Sequence, residues 1–502
     1  MPSLEPAGGA SGLARDAAWS YLPLATSLLC STFIIAMGFR YLPDRQMGVY
    51  AIATSTMTLL AVVDPAIALG MSRNVARLAA GRGNAEEQRR FIASGHSVLV
   101  ALGVGVIILG ICTAVIVRIF APAQLSTQVG VLLGLLVITF AVQIATALIS
   151  ATLMGYSDYF GIAVGGTVTG ATTLTVVALT LPQLGLVGFG LGALTGLLAG
   201  RGFLLWRFRR IPLRPSIRPR WPSRHDLRAL SAFVVPMLLL SLAGQLISWI
   251  DVVAIGAIVG ASAAALYRIG SSIPGQAVGL IYRAFDVSFP RLSAGDEEWQ
   301  LRATTLLTRV ACAGSGVAFA GLIALREDVV RVLTGGSNEL AQLVLIILSL
   351  TWAANVPAHG LGLLAIARGR QSFFTPLVCA EAAANVALTI LLVRLWGAPG
   401  AAWATLMTLA VSNLLILPMI LRRVVHGSMS IVLGHGLLPL LLSGVPAALI
   451  FELTTREVAG LPRIMLIVLM TCLLAAATAL VAAGTGGRRV LVSSFRTREA
   501  AV

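Results

Sequence analysis

The sequence has 502 residues, of which 57% are hydrophobic and only 11% are charged, and its mean hydropathy is +0.91. This composition excludes a water-soluble globular protein, because too few polar side chains are present to cover a chain of this size. The formal net charge is +16, and all 36 basic residues are arginines. In a membrane protein such an excess indicates topology and contact with lipid head groups, and it is a weaker indication of nucleic-acid binding.

Long apolar segments follow one another along almost the whole chain. Most span about 20 to 25 residues, which matches roughly 30 Å of hydrocarbon at 1.5 Å per helical residue. They are continuous rather than alternating, which favours helices over transmembrane strands, and the first is expected to be retained rather than cleaved as a signal peptide. The sequence predicts an all-α polytopic membrane protein with fourteen spans at 17–39, 47–70, 92–117, 127–153, 159–180, 184–206, 229–255, 262–289, 303–325, 340–366, 373–394, 398–421, 433–452 and 461–484.

The distribution of arginines between the loops predicts the orientation of these spans. With a cytoplasmic N-terminus, 24 arginines lie in cytoplasmic segments and 8 in outer segments. Cytoplasmic loops of membrane proteins carry the excess of basic residues. We therefore expect a multi-pass protein of the plasma membrane with both termini in the cytoplasm.

An internal repeat of six spans predicts the domain organisation. The segment Gly155–Leu194 resembles Gly369–Leu406, and each copy is followed by an Arg-Arg pair. Because an even number of spans preserves orientation, the two copies should be related by a pseudo-twofold axis along the membrane normal. The predicted parts are an N-terminal six-helix lobe at 15–210, an Arg/Pro-rich cytoplasmic linker at 207–228, a C-terminal six-helix lobe at 229–423, an additional helix pair at 433–484 and a cytoplasmic tail at 485–502.

Polar residues inside the first seven spans are candidates for function. Asp64 lies near an end of span two, where it either pairs structurally or contributes to ion coupling. In span seven, Ser241, Gln245, Ser248 and Asp251 recur at helical spacing and form one polar stripe. Gln245 and Asp251 therefore become candidates for binding sugar hydroxyl groups, with interhelical hydrogen bonding as the alternative.

Span eight carries charges where hydrocarbon is expected. On a helical wheel, one face within an arc of roughly 80° holds Arg268, Ser272, Gly275, Gly279, Arg283 and Asp286. Such a polar and small-residue face should point into a groove between the lobes, because intramembrane charges rarely face lipid.

Arginine in this position suits an anionic ligand, because it stays charged and its planar guanidinium binds phosphate oxygens bidentately. Arg268 and Arg309, with Ser272 beside the first, are the leading candidates for contact with a phosphate. Arg283 is a weaker one, since Asp286 at i+3 can neutralise it within the helix. The alternative is that all these charges pair among themselves and only hold the lobes together.

Span eleven carries a second polar stripe, formed by Glu381, Asn385 and Thr389. Glu381 lies near the middle of its span. It is therefore the first candidate for a coupling residue if transport is driven by protons or sodium, and Asn385 and Asp64 are the others. The same side chains are equally suited to interhelical hydrogen bonding.

Histidines and cysteines give no sign of a metal site or a cofactor. The five cysteines all fall inside apolar spans and show no spacing typical of metal binding or disulfides. His96 and His359 also lie in spans, where a lone histidine is more often a hydrogen-bonded structural residue than a ligand.

Three long segments are LPDRQMGVYAIATSTMTLLAVVDPAIALGMSRNVAR (42–77), PMLLLSLAGQLISWIDVVAIGAIVGASAAALYRIGSSIP (236–274) and ARGRQSFFTPLVCAEAAANVALTILLVRLWGAPGAAWAT (367–405). In this order they resemble the polysaccharide flippases, a family of the multidrug/oligosaccharidyl-lipid/polysaccharide exporter superfamily. The resemblance implies a bacterial inner-membrane flippase, not an enzyme, that moves an undecaprenyl-pyrophosphate-linked oligosaccharide to the outer leaflet by alternating access. Membrane lipids, a coupling ion and polysaccharide polymerase or export components are the partners it implies.

Two members of the same superfamily remain as alternatives, a cation-coupled multidrug antiporter and a lipid II flippase. Against the antiporter, span one contains no carboxylate for cation coupling, and arginines in the cavity would repel cationic drugs. A membrane glycosyltransferase or polymerase would need a sizeable outer loop bearing acids or histidines. Every predicted outer loop is too short for that.

Overall fold

The computed structural model describes residues 10–60, 75, 85–120, 123–156, 158–210, 224–292, 296–370, 373–455, 458 and 460–496. Within these residues the chain forms helices and no strands. The α-helices are α1 (Ala10–Tyr41), α2 (Asp44–Leu60), α3 (Ala85–Phe120), α4 (Ala123–Ala145), α5 (Ala147–Gly155), α6 (Tyr159–Leu184), α7 (Leu186–Phe208), α8 (Arg224–Ile258), α9 (Ala261–Leu292), α10 (Glu297–Ala324), α11 (Arg326–Thr334), α12 (Glu339–Ala367), α13 (Thr375–Trp396), α14 (Ala398–Val411), α15 (Leu417–Leu421), α16 (Leu438–Thr455) and α17 (Leu461–Arg496). Two π-helical segments, Ser412–Ile416 and Ser430–Leu437, precede α15 and α16.

Eleven helical segments of the described chain are long and apolar enough to cross a membrane. They match eleven of the fourteen predicted spans. Of the remaining three, the span at 47–70 is described only as far as α2, and the span at 92–117 is represented by the apolar segment Ile92–Ile108. The third is α9, whose charged and polar face makes it unlike an ordinary apolar span. The polytopic all-α prediction is confirmed.

The two copies of the internal repeat have the same local geometry. In the first, α6 and α7 are joined by Gly185 alone (φ 55°, ψ −132°), and in the second, α13 and α14 are joined by Gly397 alone (φ 67°, ψ −152°). Such positive φ values favour glycine, which has no Cβ to clash with the backbone. The matching turns support the repeat that the sequence predicted.

The first copy also shows how the helices pack so closely. A Cβ atom added to Gly196 of α7 would lie 1.9 Å from the Thr173 hydroxyl oxygen of α6, and one added to Gly200 would lie 1.9 Å from that of Thr169. Small residues at a helix crossing let two backbones approach in a bilayer, where burial of apolar surface does not drive association. The glycines of this segment therefore set the packing of α6 against α7.

The N-terminal helices meet the C-terminal helices at one end of the bundle, where α2 and α9 begin. We call this the Gly48 end. A Cβ atom added to Gly48 would lie 1.7 Å from the carbonyl oxygen of Ala261, so the two backbones touch. Apolar clusters around Ala51 of α2 and Ile35 of α1 join α8, α9, α11 and α12 at the same end. The bundle is closed here.

The opposite end of the bundle lies near Arg283, and we call it the Arg283 end. Midway, the Ser31 hydroxyl of α1 donates to the Gln276 side-chain oxygen of α9 across 3.0 Å. On either side of Gln276, a Cβ atom added to Gly275 or Gly279 would meet nothing within 4 Å. The small-residue face of α9 thus borders open space, as the helical wheel predicted.

The last two long helices, α16 and α17, pack against α10. A Cβ atom on Gly316 of α10 would lie 2.3 Å from the Leu440 carbonyl oxygen of α16. At the start of α17, Arg463 lies 3.7 Å from the buried carboxylate of Asp328 on α11. Helix α17 bends at Gly484 (φ 59°) and continues to Arg496, so much of the predicted tail is helical. Of the predicted linker, residues 211–223 lie outside the described residues.

Candidate functional site

The candidate site is a cavity of about 160 Å³ between the N-terminal and C-terminal helices. Helices α1 and α2 supply one wall, and α8 and α9 supply the other. Its polar lining includes Ser31, Tyr50, Thr54, Thr58 and Arg268. Pockets for drug-sized ligands measure roughly 300–1,000 Å³. The cavity can therefore hold a small anionic group in this conformation, whereas an oligosaccharide would need the groove to widen.

Aromatic side chains fix the geometry around Arg268. Its guanidinium carbon lies 4.4 Å above the centre of the Trp249 ring, which is a favourable cation–π arrangement. On the opposite wall, Tyr50 stacks on Phe189 with ring centres 4.1 Å apart. In the described part of the chain, no carboxylate lies within salt-bridge distance of Arg268. The site thus presents a partly buried cation without an anionic partner.

The other charges of the α9 face lie at the Arg283 end. Arg283 and Asp286 are 3.9 Å apart, and their side chains are 37% and 45% exposed. Arg283 follows Arg268 by fifteen positions, which corresponds to about 22 Å along the helix axis. One face of α9 therefore carries a cation at each end of the groove.

Ser272 and Gln245 do not line the cavity. The Ser272 hydroxyl is buried and donates to the carbonyl oxygen of Ile269 in its own helix. The side-chain oxygen of Gln245 is buried and has no hydrogen-bond partner in the described part of the protein. Their proposed contact with a substrate stays a prediction.

Arg309 lies at the contact between α10 and the additional helix pair. Its Nε donates to the Ala482 carbonyl oxygen of α17 across 2.7 Å, just before the bend at Gly484. A bend in a helix leaves carbonyl groups without their usual partners, and a guanidinium group can satisfy one of them. The contact joins α10 to α17. Arg309 does not line the described cavity, and its contact with a phosphate stays a prediction.

The polar stripes of spans seven and eleven meet inside the C-terminal helices. Buried Asp251 accepts hydrogen bonds from Tyr267 at 2.5 Å, Thr405 at 2.9 Å and Thr389 at 3.0 Å. Asn385 donates to the Thr405 hydroxyl, while its own side-chain oxygen is buried without a partner in the described chain. We call these five residues the Asp251 cluster. Four helices (α8, α9, α13 and α14) converge on it.

Glu381 lies one helical turn from Asn385 and takes no part in the Asp251 cluster. Its buried carboxylate accepts a hydrogen bond from Ser412, the first residue of the π-helical segment that follows α14. Asp64, the remaining coupling candidate, lies outside the described residues. Among the residues that are described, no group of three or more His, Cys, Asp or Glu side chains could hold a metal ion.

The arrangement is a bundle of long apolar helices with a cavity between its N-terminal and C-terminal helices. The family model described as "Polysaccharide biosynthesis protein" matches residues 20–295, more than half of the chain, and the protein belongs to this family. No curated protein matches the sequence.

Solved structures share the fold at low sequence identity. The lipid II flippase MurJ in an inward closed conformation is 12% identical, with a TM-score of 0.70 and coverage of 94% of this chain and 99% of MurJ. An inward-facing multidrug resistance MATE transporter of the MOP superfamily is 13% identical, with a TM-score of 0.67 and coverage of 80% and 98%. A MOP superfamily transporter from Pyrococcus furiosus is 14% identical, with a TM-score of 0.55 and coverage of 84% and 96%. The predicted resemblance is confirmed at the level of fold and family.

Proposed function

We propose that the protein carries an undecaprenyl-pyrophosphate-linked oligosaccharide from the cytoplasmic to the outer leaflet of a bacterial inner membrane. The position of Arg268 on the cavity wall is the observation that supports this proposal most strongly. A partly buried guanidinium without a carboxylate partner is costly, and a bound phosphate group would offset that cost while filling the fork bidentately. Because the protein belongs to a polysaccharide biosynthesis family, we expect the anion that binds here to be a sugar-linked polyprenyl pyrophosphate.

The shape of the groove supports alternating access as the mechanism. The helices are in contact at the Gly48 end, whereas Gly275 and Gly279 of α9 border open space and Arg283 is partly exposed. The substrate would therefore enter beside Arg283 and reach Arg268 along the face of α9. Closure at the Arg283 end and opening at the Gly48 end would then release the head group on the other side. By the arginine distribution, the Arg283 end is cytoplasmic.

The Asp251 cluster is the best-supported place for a coupling ion. It combines two carboxylate oxygens, two threonine hydroxyl groups and the unpartnered oxygen of Asn385. Hard cations take oxygen ligands of these kinds. Sodium is therefore the favoured ion, and a proton on Glu381 is the second candidate.

A two-part vesicle assay tests the function. Purified protein is reconstituted with a fluorescent undecaprenyl-pyrophosphate-linked oligosaccharide, and the lipid that becomes accessible on the opposite face is measured. In separate vesicles, ion-driven efflux of an organic cation is measured. We expect translocation of the lipid-linked sugar without cation efflux. The reverse result would favour the multidrug antiporter, and translocation of lipid II in preference to the oligosaccharide would favour the lipid II flippase.

A further inference from the structure

His359 of α12 is held against α9 by two aromatic rings. It stacks on Tyr282 with ring centres 3.7 Å apart and an angle of 4° between the planes, and it meets the edge of Phe285 at 5.3 Å. A Cβ atom on the next residue, Gly360, would lie 2.8 Å from the Phe285 ring, so the two helices approach closely here. The imidazole therefore has a fixed position and orientation.

The edge of this imidazole faces Asp286. His359 Nε2 lies 4.0 Å from one carboxylate oxygen of Asp286, and Arg283 lies 3.9 Å from the other. Nε2 is buried and has no hydrogen-bond partner in the described protein, and the same is true of the Tyr282 hydroxyl. Neither basic group is yet within hydrogen-bond distance of the carboxylate. Asp286 thus lies between two competing partners at nearly equal distances.

The remaining titratable groups around the cluster come from three other helices. Tyr21 of α1 interacts electrostatically with Arg283 and Asp286, and Cys312 of α10 and Glu381 of α13 interact with Tyr282. No described charged group other than Asp286 lies within salt-bridge distance of His359. Among all these groups only the imidazole gains a positive charge when it takes up a proton, since arginine is permanently charged.

We infer that His359 is a positioning residue that determines whether Asp286 neutralises Arg283 or leaves it free for the substrate. When the imidazole is neutral, Asp286 is available to Arg283 and weakens its attraction for an anion. When the imidazole takes up a proton, its charge is buried and needs a counter-charge, and Asp286 is the carboxylate within reach. The carboxylate turns towards His359, and Arg283 gains a free guanidinium group facing the groove.

This inference rests on the proposed function, because it concerns how Arg283 meets a pyrophosphate head group. It makes the uptake of a proton and the binding of the anion favour each other at the Arg283 end. A purely structural His359, which only fills the space between two rings, would have no such effect on pH dependence.

The test measures binding of farnesyl pyrophosphate to the purified full-length protein at pH 5.5 and pH 8.0. The variants are His359→Gln, which cannot become charged, and Asp286→Asn, which leaves Arg283 free at either pH. His426→Gln is the matched control, because His426 is exposed and remote in sequence from the cluster. The ligand itself takes up a proton over this range, so the readout is the ratio of the two Kd values relative to wild type.

We expect the wild type and His426→Gln to bind roughly tenfold more tightly at pH 5.5 than His359→Gln does, with all three similar at pH 8.0. Asp286→Asn should bind tightly at both pH values. This variant tests the inference even if the His359 variant does not fold. Equal pH dependence of wild type, His359→Gln and Asp286→Asn would overturn the inference alone. Absence of binding by the wild type at both pH values would instead contradict the proposed function.

Discussion

Replacing Gly48 with alanine should open the end of the bundle that is closed in this structure. The added Cβ would lie 1.7 Å from the Ala261 carbonyl oxygen and 2.3 Å from its carbon. Ordinary contacts of this kind measure roughly 3.2 Å or more, so α2 and α9 must separate by about 1.5 Å. Both contact atoms belong to the backbone, so no flexible side chain can move aside.

The expected energetic effect follows from overpacking. Forcing an extra methyl group into a well-packed contact costs about 1–3 kcal/mol. The added methyl group destabilises only the conformation that is closed at the Gly48 end. The equilibrium between the two conformations therefore shifts by roughly 5- to 150-fold. Transport should fall because the closed conformation is no longer stable enough to complete the cycle.

Thiol accessibility measures this shift directly. Thr54 lines the cavity and is replaced with cysteine in a background without the five native cysteines. A membrane-impermeant maleimide added from the Gly48 side should label Thr54→Cys faster when Gly48→Ala is present. Gly134→Ala is the matched control, since a Cβ there meets nothing within 4 Å. Unchanged labelling together with normal transport would refute the role of the Gly48 contact.

Three further predictions concern topology, the additional helix pair and ion coupling. A reporter fused after Gly427 should be cytoplasmic and one near Ala398 external, and reporters on the same side would contradict the arginine-based orientation. Arg309→Ala should lower the thermal unfolding temperature, because the Ala482 carbonyl loses its donor, while the Kd for farnesyl pyrophosphate stays at the wild-type value. Loss of binding by a folded Arg309→Ala protein would restore that residue to the site. Asp251→Asn should remove the dependence of transport on a sodium gradient in vesicles, and a variant that keeps this dependence would exclude the Asp251 cluster.

The face of α9 could be predicted from the sequence because it depends on one helix alone. The angular positions of Arg268, Gly275, Gly279 and Arg283 follow from helical geometry, and a charged face in an apolar chain must avoid lipid. The structure places the two glycines beside open space and Arg268 on the cavity wall. The internal repeat was also predicted from the sequence, and in the structure the same glycine turn recurs at Gly185 and Gly397.

Residues whose role depends on a neighbouring helix could not be predicted in the same way. The sequence placed Arg309 inside a span but could not show which helix lies opposite, and that helix is α17. The stripes that include Asp251 and Thr389 were found separately, whereas their meeting point and its partners Tyr267 and Thr405 required the packing of four helices. Tyr267 did carry a signal, since the sequence AALYRIGSS around it resembles MGVYAIATS around Tyr50 in the first half of the chain.

Helix α11 was missed for a different reason. Its nine residues are too few for a span, and the segment was read as part of an outer loop. Its apolar side nevertheless buries Val330 and Leu333 against Ile35 of α1 and Ile269 of α9. A short amphipathic helix in a loop gives a weak pattern in the sequence, although here it helps to close the Gly48 end.

The central claim is that Arg268 binds the pyrophosphate head group, and translocation by Arg268 variants tests it most directly. Vesicles containing Arg268→Ala, Arg268→Lys or the control Arg302→Ala are compared for transfer of the undecaprenyl-pyrophosphate-linked oligosaccharide at matched protein content. Arg302 is an exposed residue paired with Glu298 on α10. We expect no transfer with alanine, partial transfer with lysine, which lacks the bidentate fork, and normal transfer with the control. Normal transfer by a folded Arg268→Ala protein would contradict the account.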